Sequence, residues 1–226
     1  MIYQVPVAKR PVSLYWCNIA DYDCESLLSA GLAKIPERLH IDILRFKRRE
    51  DRLSRVVARR MVSIALEDSG FFFEATLENW QTDRWGRPSI VNSSIDFSVS
   101  HSQSMVVVAM VHNGRVGVDV EHFRTIDLES IRPFLSNAEL RHLATVNNPQ
   151  REAASCWCLR EAILKADGRG LLAPEEFIRN IKSAETPQGG VWRVENYTVN
   201  DAAVFLATDQ RTAQVSHKYL KFSDLI

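Results

Sequence analysis

This sequence lacks most of the features that place a chain quickly. It has no net charge, since 28 Lys and Arg balance 28 Asp and Glu. Overall charge therefore does not draw it to nucleic acid, and no nucleic-acid partner is expected. Cysteine is scarce. Cys17, Cys24, Cys156 and Cys158 form neither a disulfide framework nor a pair of zinc knuckles. Cys156 and Cys158 stand two apart in a segment that reads as helix, so they point away from each other and read as small buried hydrophobes. No apolar run is long enough to cross a bilayer. The start, Met1-Ile2-Tyr3-Gln4-Val5-Pro6, lacks the basic stretch and apolar core of a signal peptide. A cytoplasmic chain with no membrane partner is the expectation. Low-complexity linkers and internal repeats are also missing.

What is present is an ordinary globular composition, 46% hydrophobic and 25% charged, over 226 residues. That length makes one large domain or two small lobes with a real core. The pattern is mixed α and β. Val12 to Cys17 reads as a strand, while Pro36 to Phe46 and Arg52 to Ser69 read as helices. In the second helix Val56, Val57, Met61, Ile64 and Ala65 form an apolar stripe, and Gly70 ends it. Arg45 to Arg60 is rich in arginine, which is either a solvated basic face or an anion site. Phe71-Phe72-Phe73 reads as core. Asp96 to His101 and Ser104 to Val111 read as strands, and Asn113-Gly114 predicts a hairpin into the next one. Helices are expected over Leu128 to Phe134, Ser136 to Thr145 and Gln150 to Ala166. Strands are expected over Trp192 to Val199 and Ala202 to Ala207.

Chemistry concentrates in the strand Val116-Gly117-Val118-Asp119-Val120-Glu121. Its alternation puts the valines on one face and Gly117, Asp119 and Glu121 on the other. The glycine beside the two acids leaves room for something to approach. A solvated face is the ordinary meaning of such a pair of acids. The Gln150 to Ala166 helix, however, carries Glu161 and Lys165 one turn apart on the side of Trp157. Lys and Glu are seldom buried without a partner or a task. If the three carboxylates converge, they make a hard oxygen site suited to Mg²⁺ rather than Zn²⁺, with substrate phosphates as further ligands.

The wording of the two segments goes further. Val116-Gly117-Val118-Asp119-Val120-Glu121 followed by Trp157-Cys158-Leu159-Arg160-Glu161-Ala162-Ile163-Leu164-Lys165 resembles the signature pair of the 4′-phosphopantetheinyl transferase superfamily. Trp85-Gly86-Arg87-Pro88, Phe97-Ser98-Val99-Ser100-His101-Ser102 and Gly168-Arg169-Gly170-Leu171 are similar to three further segments of that family. The length resembles its larger, monomeric, surfactin synthetase activator type.

The resemblance implies an α+β fold of two pseudo-symmetric lobes, residues 1–111 and 112–226. Each would be an antiparallel sheet with a long packed helix, and the active site would lie between them. It implies transfer of 4′-phosphopantetheine from coenzyme A to a serine of an apo acyl or peptidyl carrier protein, releasing 3′,5′-ADP. Asp119, Glu121 and Glu161 would hold Mg²⁺, with Mn²⁺ as an alternative. Lys165 would meet the leaving phosphate, and Glu139 would be the base, although Ser136-x-x-Glu139 also has the form of a capping box. Ser100, His101, Arg87, Arg52, Arg59 and Arg160 would contact coenzyme A, with Arg45 or Lys47 as further phosphate contacts. Two residues depart from the family pattern. Arg160 and Arg87 stand where lysine is usual, so charge is kept but the ability to give up a proton is not. A metal-dependent phosphohydrolase, or a carrier-binding module without catalysis, would share parts of this pattern.

Overall fold

The computed structural model describes residues 11–20, 24–70, 76–181, 185–186, 189–212 and 214–226. Met1 to Pro6 and Phe71 to Phe73 lie outside these. The chain runs β1 (Val12–Asn18), α1 (Cys24–Leu32), α2 (His40–Leu44), α3 (Arg49–Ser69), β2 (Trp80–Thr82), β3 (Pro88–Ile90), β4 (Ile95–Ser102) and β5 (Met105–His112). It continues through β6 (Val116–His122), α4 (Leu128–Ile131), α5 (Asn137–Leu143), α6 (Pro149–Asp167), α7 (Glu175–Arg179), β7 (Arg193–Val199), β8 (Ala202–Thr208), β9 (Val215–Tyr219) and α8 (Phe222–Leu225).

The result is a mixed α+β fold in four layers. One sheet has the order β4-β5-β1-β9 and a second has β6-β8-β7. The two face each other across an aliphatic layer that includes Leu14, Val107 and Ala109 from the first, and Val116, Val118, Val120, Val204 and Leu206 from the second. Helix α3 covers the outer face of the first sheet through Val56, Val57, Met61 and Ala65. Helix α6 covers the outer face of the second through Ala162, Ile163 and Ala166. Each fully buried Val or Leu contributes roughly 1.5–3 kcal/mol. Strand β5 is covered on both faces, which is why its run of Val, Ala and Met shows no polar alternation.

Local signals set the ends of the long helices. Gly70 and Gly168 take left-handed conformations, φ +76° and +93°, at the C-termini of α3 and α6. Pro149 occupies the first turn of α6, and the Asn148 side chain accepts from the Arg151 N–H at 3.0 Å. Among the described residues no helix is long and apolar enough to cross a membrane.

Three expectations need correcting. Asn113-Gly114 does not close a hairpin. Asn113 has φ +52° and turns the chain from β5 in one sheet to β6 in the other, where β6 pairs with β8. The division at residue 111 is not clean either. Strand β9 returns to the first sheet, where it lies parallel to β1, and Leu220 and Leu225 enter the core under α3. The first sheet is therefore not wholly antiparallel. Gly117 makes room for a helix and not for a ligand. A Cβ there would stand 2.0 Å from the Ala162 carbonyl oxygen and 2.4 Å from the Ala166 nitrogen. The missing side chain lets α6 press directly onto β6.

Candidate active site

That close approach builds the site. With α6 against β6 at Gly117, the next residue on the same strand face, Asp119, meets the side chain of Lys165. Lys165 Nζ donates to Asp119 Oδ1 at 2.6 Å and to Ser100 Oγ at 3.0 Å. Ser100 Oγ in turn donates to Asp119 Oδ1 at 2.6 Å. Ser100 comes from β4 of the first sheet, so this cluster spans the junction of the two sheets. Next to it, Ser102 Oγ donates to Glu121 Oε2 at 3.3 Å.

Ser100, Asp119, Glu121 and Lys165 line a cleft of about 890 Å³ that also takes in Glu161, Trp157 and His101. Its lining is also basic and aromatic, with Arg45, Arg55, Arg59 and Trp80. The Arg55 guanidinium lies 3.6 Å from the centre of the Phe46 ring, and that of Arg59 lies 5.0 Å from the Trp80 ring. Burial, then the neighbouring Arg55, lowers the Arg59 pKa to about 10. Cations are thus crowded together there. Burial, then Arg55 and Lys165, lowers His101 as well, so this imidazole favours its neutral form.

Among the acids, burial and then the Asp119 charge raise Glu121 to about 7. Burial also raises Glu161, against the pull of Lys165. For Lys165 burial works against the ammonium, yet Asp119 and Glu161 hold its pKa above the usual value. It stays charged.

Several buried side-chain atoms in this cleft have no hydrogen-bond partner among the described residues: Arg55 Nε, Arg59 Nε, Trp80 Nε1 and Asp119 Oδ2. Buried polar atoms are nearly always paired, so these are open to a further partner. Three of these atoms are donors and the fourth is a carboxylate oxygen.

Among the described residues no three His, Cys, Asp or Glu side chains already stand close enough together to hold a metal ion. Asp119, Glu121 and Glu161 nonetheless share the cleft. Mg²⁺ needs only one or two carboxylates when phosphate and water supply the rest. The orphaned Asp119 Oδ2 is such an oxygen, and the residues fit the ion.

Four sequence expectations fall elsewhere. Glu139 is not in the cleft. It closes a capping box with Ser136, and Arg160 donates to both its carboxylate oxygens. Burial alone would raise its pKa, but the hydrogen bonds from Arg160 and Ser136 bring it down to about 2. A carboxylate held so low is a poor base near neutral pH. Arg160 is wholly buried, donating also to the carbonyls of Phe134 and Cys156 at 2.9 Å, so it cannot touch coenzyme A. Arg87 Nη2 donates to both oxygens of Asp96 at 2.8 Å, so it is an internal partner of β4. Arg52 turns back from the first turn of α3 to the Phe46 carbonyl at 2.6 Å. The arginine that reaches the cleft beside Arg59 is Arg55. Its spacing of four from Arg59 puts both on one helix face and was the available signal.

Residues 115–217 match the model of the 4′-phosphopantetheinyl transferase superfamily. This stretch of the chain is similar to that superfamily. A Haemophilus influenzae protein provisionally named a 4′-phosphopantetheinyl transferase is 32% identical over 138 residues, 52% of this chain and 54% of that protein. The 4′-phosphopantetheinyl transferase HetI of Nostoc is 34% identical over 89 residues, 38% of each chain. Sfp of Bacillus subtilis, another 4′-phosphopantetheinyl transferase, is 28% identical over 98 residues, 42% of this chain and 43% of that one. The chain thus spans about half the length of these relatives or less. The solved holo-[acyl-carrier-protein] synthase of Thermotoga maritima aligns with a TM-score of 0.33 and 21% identity, covering 42% of this chain and 61% of that one. That likeness is too slight to bear on the fold. The superfamily's matched stretch includes β6 and α6, which carry Asp119, Glu121, Glu161 and Lys165.

Proposed function

We propose that the chain transfers the 4′-phosphopantetheine group of coenzyme A to a serine hydroxyl of an apo acyl or peptidyl carrier protein, releasing 3′,5′-ADP. The observation that carries this reading is the polarity of the cleft. Arg45, Arg55, Arg59 and Trp80 line the same cavity as Asp119, Glu121, Glu161 and Lys165. A substrate with a phosphorylated nucleotide at one end and a pyrophosphate in the middle answers both.

In this reading Arg55 and Arg59, with Arg45 and His101, receive the 3′-phosphate and adenine side. Asp119, Glu121 and Glu161 would hold Mg²⁺ or Mn²⁺, which when bound would neutralise pyrophosphate charge. Lys165 is oriented by Asp119 and Ser100, and its retained positive charge meets the negative charge that develops on the departing 3′,5′-ADP. With Glu139 spent on Arg160, Glu161 is the cleft carboxylate left to take the serine proton, through the oxygen that does not hold the ion. Its side chain lies in the cleft with Asp119 and Lys165. The reading takes the protein as a monomer. It also places the chain in the cytoplasm, where coenzyme A is met.

Chromatographic detection of 3′,5′-ADP tests the proposal. Release should require apo carrier, coenzyme A and Mg²⁺ together. Cleavage of coenzyme A at the same rate without carrier would replace transfer by hydrolysis, and no release from a panel of carriers would overturn the reading.

A further inference from the structure

Among the described residues strand β6 is an edge of its sheet, with β8 as its only paired neighbour. The N–H groups on its other side would be left without partners. Side chains of β4 take three of them. Asp96 Oδ2 accepts from the Val116 N–H at 2.8 Å, Ser98 Oγ from Val118 at 3.1 Å, and Ser102 Oγ from His122 at 3.3 Å. Each pair is separated by 20 positions, so a single register holds from one end of the strand to the other. Asp96 is itself held by the two Arg87 bonds at 2.8 Å, and Arg87 Nη2 also donates to the Val116 carbonyl at 3.2 Å. The Arg87 and Asp96 side chains are only 14% and 15% exposed. Ser100 continues the alternation but donates to Asp119 instead.

We propose that Asp96, braced by Arg87 and continued by Ser98 and Ser102, is a positioning residue that fixes β6 in register against β4 and so holds Asp119 and Glu121 opposite Ser100 and Lys165. A strand has a period of two, so a slip of one residue would present Val118 or Val120 where Asp119 belongs. Even a smaller shift costs turnover, because a displacement of about 1 Å can slow an oriented reaction on the order of a hundredfold. The effect on turnover rests on the transferase reading. The register itself does not.

Residue-resolved amide exchange on Asp96→Ala tests the register, with steady-state transfer on the same sample at a temperature where it is fully folded. The amides of Val116 and Val118 should exchange at least tenfold faster, while the alternate β6 amides that face β8 keep their protection. Turnover should fall ten- to a hundredfold with 3′,5′-ADP affinity unchanged within about threefold. Asp96→Asn, which keeps an acceptor for Val116, should restore most of the loss. If Asp96→Ala does not fold, Ser98→Ala reads the same register at Val118 and should lower turnover in the same direction. Unchanged exchange at these amides overturns the proposal. So does wild-type turnover in the folded variant, or an equal loss of 3′,5′-ADP affinity. If the wild-type chain modifies no carrier, the transferase reading fails, and amide exchange alone still decides the register.

Discussion

Lys165 and Asp119 are in direct contact, Nζ to Oδ1 at 2.6 Å, although one lies on a helix and the other on a strand. The lysine is fixed from both sides, by Asp119 below it and by Ser100 from the facing sheet. Lys165→Met should therefore lower transfer on the order of a hundredfold or more while the chain unfolds in one cooperative step. Lys165→Arg should recover little, since a planar fork cannot take the place of a point charge in this contact. Turnover of either variant within fivefold of wild type would remove Lys165 from the reaction.

Arg55 and Arg52 lie three apart on α3 but differ in their commitments. Arg55→Ala should weaken 3′,5′-ADP binding by tenfold or more, consistent with loss of a charge-assisted hydrogen bond of about 1.5–3 kcal/mol. Arg52→Ala should weaken it at least tenfold less, because that side chain is bound to the Phe46 carbonyl. Calorimetric titration distinguishes the two, and a reversed order would contradict the cleft assignment.

Arg160→Lys should act on stability and not on chemistry. A lysine cannot span Glu139, Phe134 and Cys156 together, and each buried group left unpaired costs about 1–3 kcal/mol. Urea unfolding should show that loss, with turnover per folded molecule within about twofold of wild type. A large fall in turnover at full folding would return Arg160 to the site.

The same pair predicts a pH dependence. Glu139 is lowered to about 2 in the folded protein, against about 4.3 for an unperturbed glutamate. A depressed carboxylate stabilises the fold above its unfolded pKa, and that contribution is lost as pH falls from about 4.3 toward 2. Urea midpoints measured from pH 6 to pH 3 should therefore fall more steeply for wild type than for Glu139→Gln. Parallel slopes would mean that Glu139 is not depressed.

Gly117→Ala should destabilise the chain or displace α6, because its Cβ would meet backbone atoms at 2.0 and 2.4 Å. Overpacking of this kind costs about 1–3 kcal/mol or more. Transfer should fall with it, since α6 carries Glu161 and Lys165. A variant with wild-type stability and turnover would show that the helix does not depend on this contact.

The long helices and the acidic face of β6 were legible in the sequence because their signals are local. Val56, Val57 and Met61 repeat at helical spacing, Gly70 and Gly168 cap, and Val116 to Glu121 alternate. The pairings across the junction were not legible. Ser98, Ser100 and Ser102 also alternate, but nothing local says that two of them bond a strand in another sheet while the third holds Asp119. Glu139 and Arg160 each matched a role in the reaction, and their mutual burial cancels both. Asn113-Gly114 supplied a turn, and the packing of two valine-rich faces decided that the turn would change sheets.

Intact-mass measurement of apo carrier protein after incubation with this chain, coenzyme A and Mg²⁺ tests the central claim most directly. The account predicts that the carrier gains one phosphopantetheine on a single serine, and that Asp119→Ala, confirmed folded, adds none. A carrier mass that stays unchanged with wild type across carriers from fatty-acid, polyketide, peptide and siderophore synthesis would contradict it.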